Sequence, residues 1–91
     1  MEHYSLTIDG NMRSAEQLFA RWTDTIYLGF SGITNWDAFA ELMYDCFDGR
    51  DIVVDVAHGD LSGLGERDRR IYSEILAEIA ARSPAKIRIS Q

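Results

Sequence analysis

Few folds accommodate a run such as Asp51-Ile-Val-Val-Asp-Val56. It is dense in β-branched residues and apolar on both faces of an extended chain, the pattern of a central parallel strand covered on two sides. Such a strand needs parallel neighbours and crossover helices. The flanking sequence supplies both. Tyr4, Leu6 and Ile8 alternate with polar residues and Asp9-Gly10 ends the run with turn chemistry, so a strand is expected over 4–8. Ser14-Ala-Glu-Gln17 has the form of a capping box, with Ala15, Leu18, Phe19 and Trp22 at helical spacing behind it, and predicts a helix over about 14–23. Residues 24–34 read as an aromatic, glycine-punctuated loop containing Tyr27 and Phe30. Thr34 or Asn35 can cap a second helix running to about Phe47, with Gly49 as its stop. Residues 57–65 read as loop with one short helical turn, and 66–82 as the clearest helix, with Ile71, Tyr72, Ile75, Leu76 and Ile79 on one face. On its other face Arg70 with Glu74, and Glu78 with Arg82, stand four residues apart as ion pairs. Ser83-Pro84 breaks that helix before a last strand over 86–90. The order favours one α/β domain over residues 1–91, a three-stranded parallel sheet with about four helices packed on it.

Charge is distributed unevenly. Between Thr23 and Glu66 there are nine acids and one base, Arg50, whereas the whole chain carries −6. Phosphate-backbone binding needs clustered Lys and Arg, so no nucleic-acid partner is expected, and a basic protein fits better. No apolar run approaches the roughly 20 residues of a membrane helix, and the first ten residues, MEHYSLTIDG, lack the regions of a signal peptide. A cytoplasmic protein without a membrane partner is expected. The single cysteine, Cys46, lies between Asp45 and Phe47 and reads as a buried structural thiol.

Catalytic and cofactor motifs fare poorly. His3, His58 and Cys46 have no metal-ligand spacing, so no metal is expected. Gly59-Asp-Leu-Ser-Gly-Leu-Gly65 matches no phosphate-binding loop and is followed by no Lys, so no nucleotide cofactor is implied and loop flexibility accounts for its glycines. His58, Asp60 and Ser62 lie too close together in sequence for triad geometry. DIVVDV resembles the phospho-acceptor strand of receiver domains, yet the first strand lacks their paired acids.

The second helix carries the informative pattern. At about 100° per residue, Asp37, Glu41, Asp45 and Asp48 share one stripe with no Lys or Arg among them, while Phe39, Leu42, Met43 and Cys46 form the opposite face. Like charges four residues apart repel, and Asp45 and Asp48 approach the negative end of the helix dipole. Tyr44 adjoins the stripe, and Tyr27 and Phe30 precede it, the make-up of a protein-binding face with aromatic anchors and steering charge. A solvated face is the plainer reading of the same residues.

Ile8-Asp-Gly10, Ser14-Ala-Glu-Gln-Leu18, Gly32-Ile-Thr-Asn-Trp-Asp-Ala-Phe39, Asp45-Cys-Phe47, DIVVDV and the closing Lys86-Ile-Arg-Ile-Ser90 together resemble barstar and its relatives over essentially the whole chain. That resemblance implies a three-stranded parallel sheet with four helices and a role as inhibitor of a basic ribonuclease. Its inhibitory surface would be the second helix and the preceding loop, with a carboxylate standing in for a substrate phosphate. Glu41 takes that place with no long gap, and Asp45 takes it if the Asp-Cys pair is aligned. Phe30 then stands for a loop tyrosine, and Glu78, near Ala77, for a contact acid of the last helix. A regulatory interaction domain that uses the same face without inhibiting a nuclease is the alternative, and a hydrolase built on Asp55 and Asp60 a more distant one.

Overall fold

The structure, a computed structural model, describes residues 1–27, 33–59 and 61–90. Its elements in order are β1 (Glu2–Ile8), α1 (Ala15–Ile26), α2 (Trp36–Gly49), β2 (Ile52–His58), α3 (Glu66–Arg82) and β3 (Ile87–Ser90). The three strands form a parallel sheet in the order β1-β2-β3, with Tyr4 opposite Val54 and Val54 opposite Ile87. Three helices are present among the described residues, one fewer than expected. The short turn after β2 does not develop into a helix there.

Local chemistry explains the helix boundaries. Ser14 caps α1 by accepting from the Gln17 N–H, and the Gln17 side chain returns to the Arg13 N–H. The helix continues past Thr23 because Ile26 falls one turn beyond Trp22 and is equally buried. Asn35 caps α2 by accepting from the Ala38 N–H. Gly49 is the last residue of α2 rather than its stop, and Arg50 follows in extended conformation.

In β2, Ile52, Val54 and Val56 are buried, Val53 and Asp55 half-buried and Ala57 exposed. One sheet face therefore lies under the helices and the other is open, which corrects the expectation of a strand covered on both sides. Asp55 explains the difference. On the open face its carboxylate receives His3 from β1 at 2.5 Å and Arg88 from β3 at 2.6 Å, a polar tie across all three strands. These hydrogen bonds, from His3 first and Arg88 next, hold the Asp55 carboxyl below its usual range.

The covered face meets Leu18, Phe19, Trp22 and Ile26 of α1, Phe39, Met43, Cys46 and Phe47 of α2, and Tyr72, Ile75, Leu76 and Ile79 of α3. At its centre Phe19 stacks on Phe39 with ring centroids 4.8 Å apart, and Trp36 meets both edge-on. Trp36 donates its indole N–H to Asp68 at 2.9 Å, joining the starts of α2 and α3. Gly63 has a steric role beyond flexibility, because a Cβ there would lie 2.1 Å from the Met12 carbonyl oxygen. Cys46 is a buried free thiol, as expected, and burial pushes its pKa up.

Candidate interaction face

α2 runs unbroken from Trp36 to Gly49 and turns Phe39, Met43, Cys46 and Phe47 into the core. That rotation leaves Asp37, Glu41, Asp45 and Asp48 exposed, as the sequence predicts. The four acids do not share one environment. Arg82, in the last turn of α3, approaches Asp48 at 3.8 Å and Glu78 at 3.7 Å, and its guanidinium lies 5.0 Å from the centroid of the Tyr44 ring. Asp48, Tyr44 and Glu78 thus gather around a cation of the chain itself. Asp37, Glu41 and Asp45 have no ion pair among the described residues, and Glu41 stands one helical turn from each of the other two.

The rest of the predicted surface divides. Tyr27 is 68 % exposed and sits at the end of α1 with φ of 45°, a left-handed conformation that costs a non-glycine residue energy. Arg50 holds that turn by donating to the carbonyl oxygens of Ile26 at 2.6 Å and Tyr27 at 3.0 Å. Phe30 lies outside the described residues. Ala40 is half-buried, in keeping with its small size beside the core.

Two cations shape this region through contacts that the sequence did not show. Lys86, just before β3, donates to the carbonyl oxygens of Phe47 and Arg50 at 2.7 Å each, so it neutralises the carboxyl end of α2. Arg82 was legible only as the partner of Glu78, because its approach to α2 joins residues far apart in the chain. The Arg70–Glu74 pair expected beside it does not form, since no ion pair links those residues.

No cluster of three or more His, Cys, Asp or Glu able to hold a metal occurs among the described residues, and no described helix is long and apolar enough to cross a membrane. The chain matches no protein-family model, no curated protein and no solved structure.

Proposed function

We propose that this chain is a barstar-like inhibitor of a basic ribonuclease, which it blocks by seating the exposed row Asp37, Glu41 and Asp45 among the enzyme's phosphate-binding cations. The observation that carries the reading is that these three acids stand exposed with no ion pair among the described residues, while Arg82 serves only the Asp48 end of the same helix. The three-stranded parallel sheet in sequential order supports it, as does the exposed, conformationally strained Tyr27 at the end of α1. Glu41 is the central carboxylate, because energetic hot spots concentrate at the middle of an interface and Glu41 lies between the other two.

The test is inhibition of small basic ribonucleases on a fluorogenic RNA substrate. Expected are salt-sensitive inhibition and a loss of at least ~2 kcal/mol, about 30-fold, for Glu41→Lys. Barstar complexes are among the cases from which this range comes. Equal inhibition by wild type and by the double variant Glu41→Lys, Asp45→Lys rules the proposal out. One observation favours the regulatory reading: Tyr44, an aromatic expected at the interface, is already engaged by Arg82. Copurification of a non-nuclease protein that depends on Glu41 and Asp45 would decide for it.

A further inference from the structure

A cleft opens at the carboxyl end of the sheet, where His58 closes β2 and Ile89 lies near the end of β3, with Leu61, Ser73, Leu76 and Ala77 completing its walls. Its volume is about 510 Å³, within the size range of small-molecule sites. Ile89, 41 % exposed, is one of three large hydrophobic residues exposed among those described, so an apolar wall faces solvent here.

The cleft also holds a histidine tied to a buried tyrosine. The buried Trp22 indole N–H can only donate, and it reaches the Tyr72 hydroxyl at 3.1 Å. Tyr72 in turn lies 2.9 Å from His58 Nε2. If Tyr72, whose oxygen accepts from Trp22, gives its own hydrogen to Nε2, the His58 proton sits on Nδ1. His58 itself is half-buried, and no hydrogen bond to its Nδ1 occurs among the described residues.

Beside this cleft lies a second hollow of about 360 Å³ that shares Leu61 and Ser73 with it and adds Glu66, Arg69 and Arg70. Arg69 and Arg70 form no ion pair among the described residues, although Glu66 and Glu74 stand four residues before and after Arg70. At about 100° per residue, Glu66, Arg69, Arg70, Ser73 and Ala77 share one stripe of α3, whereas Glu78 and Arg82 lie on another. Together the hollows present an apolar wall, the polar side chains of His58 and Ser73, and a rim where Arg69 and Arg70 stand with Glu66.

We propose that this double cleft binds a small amphipathic monoanion. Its apolar body rests on Leu61, Leu76, Ala77 and Ile89, its anionic head meets Arg69 and Arg70, and His58 and Ser73 donate between them. The site uses no residue of the α2 acidic row, so it stands or falls apart from the inhibitor reading.

Titration of the ¹⁵N-labelled protein with octanoate, read by chemical shifts, tests it. Saturable shifts are expected at Gly59, Ser73, Ala77 and Ile89, weakened at least ~10-fold in the Arg69→Ala, Arg70→Ala double variant. Ala77→Trp, at an exposed position, is expected to fill the cleft and abolish the shifts while circular dichroism stays unchanged. Octylammonium, with the same tail and opposite charge, is expected to leave these residues unmoved. Shifts that rise without saturation, equal binding of octylammonium, or undiminished binding by the arginine variant would overturn the proposal.

Discussion

Asp45→Lys separates stability from binding, because the two should move in opposite directions. In the free protein Asp45 is exposed, Glu41 stands four residues before it, Asp48 three after, and no cation pairs with Asp45 among the described residues. Each like-charge pair on a helix costs about 0.2–0.5 kcal/mol and each opposite pair returns a similar amount, so reversing one charge between two acids swings roughly 0.8–2 kcal/mol. Lys also suits a helix interior better than Asp and sits better toward its carboxyl end. Solvent screening and side-chain entropy reduce the total to about 1 kcal/mol, which for a domain of this size raises Tm by roughly 4–8 °C. Thermal unfolding by circular dichroism at low ionic strength measures it, and the gain should shrink near 1 M salt, where the screening length falls to about 3 Å. Asp48→Lys is the internal control. It sets a second cation against Arg82, and no stabilisation is expected from it. If Asp45→Lys is neutral or destabilising at low salt, or if Asp48→Lys stabilises equally, the row is an ordinary solvated face and the electrostatic reasoning fails. If it stabilises the free protein and abolishes ribonuclease inhibition, the acids are retained for the partner at the expense of the fold.

Three further outcomes follow from individual contacts. Lys86→Met removes both hydrogen bonds of the ammonium to the carboxyl end of α2 and should cost about 2–3 kcal/mol in urea denaturation, as for half-buried hydrogen bonds to a charged group. Burial holds the His58 pKa below 6.5, so the unfolded chain binds the proton first and stability should fall as pH drops through 6.5 toward the lowered value. His58→Gln, which keeps an acceptor for Tyr72, should flatten that acid limb, and an unchanged pH profile would contradict the assignment. Gly63→Ala should destabilise by about 2 kcal/mol or more, since the new methyl group meets a backbone carbonyl that cannot move freely.

Where local chemistry decides structure, the sequence could be read. Ser14 and Asn35 cap the helices assigned to them, and α3 spans the predicted 66–82. Boundaries shifted where burial outweighed a punctuation residue. α1 gained Asp24, Thr25 and Ile26 because Ile26 extends the apolar stripe, and Asp48 and Gly49 were absorbed into α2. The open face of the sheet was signalled by Asp55, which interrupts an otherwise apolar strand, but its significance depended on His3 and Arg88 meeting it from other strands. In the candidate interface the helical period correctly exposed Asp37, Glu41, Asp45 and Asp48. It could not show that Arg82 removes Asp48 from the row, or that Arg50 and Lys86 cap helix ends more than twenty residues away.

These long-range contacts change the meaning of the acidic row. The chain has nine Lys and Arg residues, and one explanation of an unpaired acidic stripe is a shortage of cations. Their placement argues otherwise. Arg50 and Lys86 bind helix carbonyls, Arg82 and Arg88 pair with acids, and Arg21 donates to the Thr7 carbonyl. Arg67, Arg69 and Arg70, however, have no ion pair among the described residues, and neither do Asp37, Glu41 and Asp45. α2 and α3 are packed against one another through Trp36, Asp68 and Tyr72, so the two sets are carried by adjoining helices. α3 interleaves its three arginines with Glu66, Asp68 and Glu74, whereas the row Asp37, Glu41 and Asp45 on α2 contains no base, so α2 keeps a surface of single sign that attracts a basic ligand.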